Sequence, residues 1–460
     1  MGITSENPSA RLASVRRKRV WTLLRSSGLS RLNGSPGLKR LAGDGVWVIS
    51  GQIGTALGTL VGMRVLTGYI PPATFGTLSL LIGCVTLVSS TFCLPYLQAM
   101  LRFYPEAVRE GEVGRLRHII ASALRWSIAG LAGLILIAGA VAGRVLGVSY
   151  LAFIALVGLL AVEVFRTLEM NLLSSARRQR SFAIWQALES WLRPILAVSA
   201  VVMWGSEPEA VLVGYGIGSL GLLVVFRWAV KREGTEREPK QEREDTNLAR
   251  RIRSYALPLM PLAIVGWVSA VSDRYIIGGM LGLEAVGLYV AAYGIISRAF
   301  GLLWGSIELI LRPIYYEAVA AENRDREKKA FRVWLGVMVG GGLLGVLAVG
   351  LFKDMLCRLL VAESYQECAR LMPWIAIGYS FVVTSYVFEK VCYAHHRTSW
   401  VTVSQVMGAV ASIILAIPLI YLYGLDGAAA AVPAYFAVQL ATSIVAAWRV
   451  IAAVASKAGG

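Results

Sequence analysis

Histidine is nearly missing from this chain, with three in 460 residues, and two of those, His395 and His396, stand side by side where a loop is expected. Cysteine is scarce as well, five in all, and none forms a CxxC pair. There is no Walker-type phosphate loop, no cluster of metal-ligating residues and no nucleophile elbow. These gaps argue against an enzyme and call for no cofactor. Acids are few too, 28 against 45 Lys and Arg, for a net charge of +17. Such a surplus would suit nucleic acid, but its distribution says otherwise. Nine of the basic residues fall in the first 43, including Arg16, Arg17, Lys18 and Arg19, against one acid, Glu6. The apolar run Val20 to Leu24 is too short for a secretory signal and no small-residue cleavage site follows. Residues 1–43 therefore read as a basic cytoplasmic tail that orients the chain, the alternative being a weakly amphipathic helix on anionic headgroups.

What fills the rest is apolar. At 56% hydrophobic residues and a mean hydropathy of +0.62, the chain lies outside the range of soluble globular proteins. With about 20 apolar residues per crossing, twelve transmembrane helices are expected, at 44–69, 73–98, 121–143, 149–175, 181–204, 208–230, 254–282, 285–312, 332–353, 366–392, 398–423 and 427–450. The fold class is thus an all-α polytopic membrane protein. An even number returns both termini to one side. The loops carrying Arg102, Arg109, Arg115 and Arg117, then Arg177, Arg178 and Arg180, then Arg250, Arg251 and Arg253, then Arg324, Arg326, Lys328 and Lys329 all fall on that side, so both termini are expected in the cytoplasm. Arg144 and the stretch from Lys353 to Arg370 are exceptions that do not reverse the bias. Residues 231–253 mix Lys and Arg with six acids and read as a solvated linker between an N-terminal lobe, 44–230, and a C-terminal lobe, 254–450. A short tail, 451–460, closes the chain.

The two halves echo each other. Gly68 and Gly279, Gly76 and Gly287, Tyr104 and Tyr315, Glu106 and Glu317, and Ala107 and Ala318 all differ by 211 positions, which reads as an internal repeat. A second set, Ala176 with Ala394, Ser181 with Ser399 and Phe182 with Trp400, runs at 218. The growth in offset calls for a longer loop in the second copy, expected at Glu317 to Arg332. Gly51, Gly54, Gly58 and Gly62, and Gly336, Gly340, Gly341, Gly342 and Gly345, lie at spacings that let helices approach closely. Pro194, Pro258, Pro261 and Pro418 fall inside spans and are expected to bend or unwind them.

Charges at bilayer depth cost at least roughly 2.5–3.5 kcal/mol each on insertion scales, so they mark candidate sites. They are Arg64; Glu163 and Arg166, three apart; Glu189 and Arg193, four apart; Asp273 and Arg274; Arg298 and Glu308. Local pairing explains some of them, and Arg64 near a helix end could equally snorkel to the interface. Their number implies a hydrated cavity between the lobes. Glu389 and Lys390 sit near the cytoplasmic end of the tenth helix. Cys357 and Cys368 share an outer loop and are close enough in sequence for a disulfide.

The run Asp273, Arg274, Tyr275, Ile276, Ile277, Gly278, then Gly282, Leu283, Glu284, Ala285, Val286, Gly287, Leu288 and Tyr289, with Phe75 and Gly76 after Pro71 and Pro72, resembles the polysaccharide transporter family of the multidrug/oligosaccharidyl-lipid/polysaccharide (MOP) flippase superfamily, which includes Wzx-type O-antigen flippases. The resemblance covers about residues 44 to 450. It implies two six-helix lobes related by a pseudo-two-fold along the membrane normal, a central cavity, and alternating access for a polyprenyl-diphosphate-linked oligosaccharide across the bacterial inner membrane. Arg298, Arg274, Arg166, Arg193 and Arg64 are then the candidates for phosphate or acidic-sugar contacts. Asp273, Glu163, Glu189 and Glu308 could hold those arginines or bind a coupling proton or sodium ion. Membrane lipids, a glycan polymerase and chain-length machinery are the implied partners, and nucleic acid is not. Two other readings stay open. A drug or cation antiporter of the toxin-extrusion branch needs an acid-dominated cavity, and a glycan polymerase or ligase needs a large outer loop.

Overall fold

The computed structural model describes residues 36–146, 149–176, 178–232 and 246–458. The basic tail up to residue 35 and residues 233–245 of the charged linker lie outside the described residues. What is described is twelve helices and no strand. In chain order they are α1 (Pro36–Thr67), α2 (Pro72–Glu110), α3 (Val113–Leu146), α4 (Tyr150–Ser175), α5 (Gln179–Trp204), α6 (Pro208–Arg232), α7 (246–281), α8 (Leu283–Ala320), α9 (Arg324–Leu360), α10 (Met372–Ala394), α11 (398–423) and α12 (425–458). Each coincides with one of the twelve expected spans. Gly424 separates the last two with φ +59°, a left-handed conformation open to glycine.

Several helices run well past the bilayer, and the interruptions have local causes. α2 holds a π-helical turn at Ser89–Cys93, just ahead of Pro95. In α7 the turn Leu257–Leu259 narrows to 3-10 geometry at Pro258, and the helix resumes at Met260 with Pro261 in its first turn. α9 begins at Asn323, whose side chain accepts from the Arg326 N–H at 3.0 Å, with Asp325 and Glu327 favouring the helix dipole. The end of the stretch expected to be solvated linker is helical instead. In Thr246–Ala256 the side chain of Ile252 is fully buried among the residues of the first lobe.

Buried side chains fall into two main cores, one formed by α1–α6 with Ile252, the other running from Ile277 through α8–α12. Within the first, α1 lies on α5 through the expected glycine face. Gly51 meets Ala183, Gly54 meets Ala187, Gly58 meets Ser190 and Trp191, and Gly62 meets Pro194. The glycines of α9 serve this purpose only in part. Gly341, Gly342 and Gly345 touch Leu303, Ser380 and Phe300, but Gly336 and Gly340 face open space.

The lobes meet through a reciprocal contact. A Cβ on Gly76 would stand 2.0 Å from the carbonyl oxygen of Leu283, and a Cβ on Gly287 would stand 2.0 Å from that of Pro72. Pro72 and Leu283, like Gly76 and Gly287, are 211 residues apart. Repeat-related residues exchange the same contact, as an isologous two-fold interface requires. Only glycine permits the approach at either position.

This crossing of α2 and α8 lies away from the face that carries both described chain ends, Pro36 and Ala458. We call that face the terminal face and the opposite one the far face. On the far face the Ala362 N–H donates to Thr67 Oγ1 (3.1 Å), the Tyr365 hydroxyl donates to the Ile70 carbonyl (3.0 Å), and Phe75 packs edge-on against Tyr365. Toward the terminal face the Leu94–Glu110 half of α2 leaves α8 and packs on α3 and the start of α7. The α2–α8 crossing therefore joins the lobes at the far face; toward the terminal face these two helices part, while the start of α7 keeps its hold on α2.

The extra length of the second copy is not where it was expected. α3 starts at Val113 and α9 at Arg324, still 211 apart, and Glu317 to Arg332 is helical apart from residues 321–323. The offset grows beyond α9, where a 3-10 element, Glu363–Arg370, occupies the connection to α10. This insertion is the element that clasps the first lobe at the far face.

Candidate functional site

The membrane-depth charges do not gather in one place; they separate into four settings. The first is a closed quartet in the N-terminal lobe. Arg166 on α4 binds Glu163 at 2.6 Å and reaches across to Glu189 on α5 at 2.6 Å. Arg193 binds Glu189 at 3.1 Å and Glu163 at 3.4 Å, and lies over the Tyr215 ring of α6. Two acids and two bases thus cancel, and each arginine already has two carboxylate partners. The helical spacing foretold the local pairs; the cross-helix bonds lock α4 to α5.

The second setting is the C-terminal lobe near the terminal face. Glu308 holds Lys390 at 2.7 Å and Arg312 at 3.2 Å. Its neighbour Glu389 is buried and takes only neutral donors, Ser404 (3.2 Å), Gln439 (3.3 Å) and Gln405 (3.5 Å). His395, expected as a loop residue, caps α10 and sits 2.9 Å from Glu327. The first lobe has a comparable tie where Glu169, also buried, receives Arg117 (2.6 Å) and Arg227 (3.1 Å).

The third setting is Arg64. It is exposed, three residues before the end of α1, and shares a helical face with Ile53, Leu57 and Val61, which are exposed as well. An apolar exposed stripe belongs against lipid, so the long side chain of Arg64 extends toward the far headgroup layer.

The fourth setting is the junction of the lobes, and it holds Asp273, Arg274 and Arg298. Arg274 on α7 donates to Ser79 Oγ of α2 at 3.2 Å, and its guanidinium lies 5.7 Å from the centre of the Tyr293 ring. Its Nε is buried without a partner. Arg298 on α8 donates to Thr59 Oγ1 of α1 at 3.3 Å and is otherwise exposed. Neither arginine has an ion-pair partner among the described residues. Asp273 turns away from the junction into the C-terminal core, where it accepts the Tyr289 hydroxyl at 2.5 Å and the Arg274 N–H at 2.8 Å. Tyr289, Tyr293, Tyr379 and Tyr435 pack behind it with Phe300 and Phe436. Sequence alone offered no reason to single out Thr59 or Ser79, because Ser and Thr hydroxyls in a helix are ordinarily satisfied by their own backbone.

The two lateral seams between the lobes are unequal. Along α2–α7, Trp267 Nε1 donates to the Gly83 carbonyl (2.8 Å), the Tyr275 hydroxyl donates to the Leu80 carbonyl (2.7 Å), and Arg251 forks onto Glu106 (2.8 and 3.0 Å). Along α1–α8, Met63 rests on Gly294 and Gln52 approaches Gly305. Among the described residues the Arg298–Thr59 bond is the one cross-lobe hydrogen bond of that seam. The cause is in the repeat. The positions equivalent to Trp267 and Tyr275 hold Ala56 and Arg64, neither of which can bolt a neighbouring helix in the same way.

Comparison with solved structures agrees with this architecture. An inward-facing MATE-family multidrug resistance transporter of the MOP superfamily superposes with a TM-score of 0.69 at 11% identity, covering 89% of this chain and 95% of that one. The lipid II flippase MurJ in an inward closed conformation gives 0.66 at 10% identity, covering 87% and 86%. A MOP superfamily transporter from Pyrococcus furiosus, described as having a binding pocket of reversed polarity, gives 0.63 at 12%, covering 94% and 98%. At these identities the likeness establishes the fold, twelve helices in two lobes. No curated protein matches the sequence. The family model described as polysaccharide biosynthesis protein matches residues 41–319. With more than half of its length matched, the chain belongs to that family, and it is a multi-pass membrane protein with the fold of the MOP superfamily transporters.

Proposed function

We propose that the protein moves a polyprenyl-diphosphate-linked oligosaccharide across the bacterial inner membrane by alternating access, with both termini in the cytoplasm. The observation that carries this reading is the sign of the unbalanced charge at the lobe junction. Every membrane-depth acid named above is either tied to a cation or enclosed in the C-terminal core, whereas Arg274 and Arg298 bond hydroxyl groups, Arg274 also facing the Tyr293 ring, and neither has an ion-pair partner among the described residues. An arginine at bilayer depth without an acid costs roughly 2.5–3.5 kcal/mol or more. A diphosphate supplies the missing anion and suits guanidinium geometry. A cation antiporter would need the opposite imbalance, a bare carboxylate at the junction.

The weak α1–α8 seam then serves as the side opening through which the lipid tail stays in the membrane while its headgroup crosses between the lobes. The basic loops at the terminal face support a cytoplasmic placement for it, so the parting of α2 from α8 there corresponds to an inward-open state that awaits cargo, with the start of α7 as the hinge side. Arg166 and Arg193 act as struts of the first lobe, and Arg64 as an interfacial anchor. Asp273, next to Arg274 and held by Tyr289 inside the C-terminal core, is the carboxylate we assign to a coupling proton, which would reach it when the lobes rearrange. A glycan polymerase and chain-length machinery would receive the product.

The test is binding of the bare polyprenyl diphosphate, the glycan-linked form and a polyprenyl monophosphate to the purified full chain in lipid nanodiscs. Both diphosphates are expected to bind, with Arg274→Ala and Arg298→Ala each lowering affinity about 10- to 100-fold, the loss of one charged hydrogen-bonding partner of about 1.5–3 kcal/mol. Unchanged affinity in both folded variants refutes the site. Preference for organic cations over every phosphate refutes the function.

A further inference from the structure

We propose that Cys357 and Cys368 form a disulfide in the mature protein, a covalent staple on the inserted element that closes the far face. Cys357 lies in the last turn of α9 and Cys368 in the Glu363–Arg370 3-10 element, and both are completely buried. Their sulfur atoms are 3.2 Å apart. A disulfide needs about 2.05 Å, a closure within reach of side-chain torsions. The remaining cysteines are elsewhere: Cys84 against Tyr275, Cys93 at the π turn of α2, and Cys392 near the terminal end of α10.

Position supplies the second argument. The inference rests on the orientation proposed above, which puts the far face outside the cytoplasm, where disulfides form and persist. The thiolate of one cysteine attacks the disulfide of a thiol–disulfide oxidant, releasing one oxidant thiolate and leaving a mixed disulfide. The thiolate of the other cysteine then attacks that bond at the protein sulfur, closing Cys357–Cys368 and releasing the second oxidant thiolate. Two protein thiols are oxidised, one oxidant disulfide is reduced to a dithiol, and the two protons pass to the released thiolates. Because both sulfurs are buried in the finished fold, the reaction belongs to the stage before α9 and α10 dock.

The staple bears on transport because the same element carries the clasp. Tyr365 and the Ala362 N–H sit between the two cysteines and bind Ile70 and Thr67 of the other lobe. Burial pushes the Tyr365 hydroxyl above the usual tyrosine range, so it remains a donor at neutral pH. With its base fixed to α9, the clasp parts from the first lobe at these two hydrogen bonds when the far face opens, and does not unravel.

The experiment uses the full chain, denatured from membranes directly into N-ethylmaleimide and mapped by peptide mass spectrometry without reductant. The expected result is alkylation of Cys84, Cys93 and Cys392, a linked peptide containing Cys357 and Cys368, and alkylation of these two only after reduction. Alkylation of all five without reductant overturns the proposal. The orientation is read separately. Glu367→Cys, at a position whose side chain is 73% exposed, is placed in a chain carrying Cys357→Ser and Cys368→Ser and treated in intact cells with a membrane-impermeant maleimide. Labelling there together with five free thiols in the native chain overturns the disulfide alone. No labelling overturns the orientation on which it stands.

Discussion

Replacing Gly287 by alanine tests the reciprocal crossing of the lobes. The added methyl would stand 2.0 Å from the Pro72 carbonyl oxygen, with the carbonyl carbon at 2.7 Å. An ordinary carbon–oxygen contact is about 3.3–3.6 Å, so α2 and α8 must separate by more than an ångström at a point where both obstructing atoms are backbone. Overpacking of this kind costs about 1–3 kcal/mol. The strain exists only while the far face is closed, so it acts as a bias between conformations and is worth about 5- to 150-fold in their ratio. Each lobe keeps its own core, and unfolding is expected to change little. Spin labels on the two lobes at the far face, read by pulsed electron resonance, should shift from a short-distance population toward a long one. Gly76→Ala should do the same through Leu283, as the repeat demands. An unchanged distance distribution in a folded variant would refute the argument, and a collapse in thermal stability without separation would show that the crossing holds the fold and not the gate.

Three further outcomes are expected. Glu189→Gln strips one partner from both Arg166 and Arg193, and leaving a surplus cation in the lobe should cost about 3–5 kcal/mol, seen as a lower melting temperature; adding Arg193→Gln should recover part of it, and no recovery would mean the quartet is not one unit. Cysteines replacing Gln52 and Gly305, joined by a short bifunctional maleimide, should stop lipid-linked cargo from crossing in vesicles, whereas a matching tie between Gly83 and Val271 should leave most of the transport; equal effects would remove the distinction between the seams. Asp273→Asn keeps the shape of the side chain and should retain diphosphate binding while abolishing the response of transport to an imposed pH gradient; a full response would take the coupling role from this residue.

The helices were legible in the sequence because a crossing needs a long apolar run whatever it packs against, and the boundaries missed were those that project beyond the bilayer, such as the end of α2 and the start of α9. The repeat was legible because Gly76 and Gly287 must both be glycine at the crossing. Partnership among charges was only half visible. Helical spacing brings Glu163 to Arg166, but the bonds from Arg166 to Glu189 and from Glu308 to Lys390 depend on which helices become neighbours. Arg274 and Arg298 stood out as charges, yet their lack of acids could be seen only once every carboxylate had been placed. The helix over Thr246–Ala256 escaped notice because one buried isoleucine among three arginines reads as a solvated stretch.

Duplication by itself would make a molecule with two interchangeable sides. The α2–α7 edge has acquired an indole and a phenol that grip its neighbour, and the corresponding edge has alanine and arginine in their place. The protein therefore has a front and a back within the plane of the bilayer. A lipid carrier reaching it by lateral diffusion would meet one doorway, and any enzyme that hands over or collects the cargo would have to dock facing it.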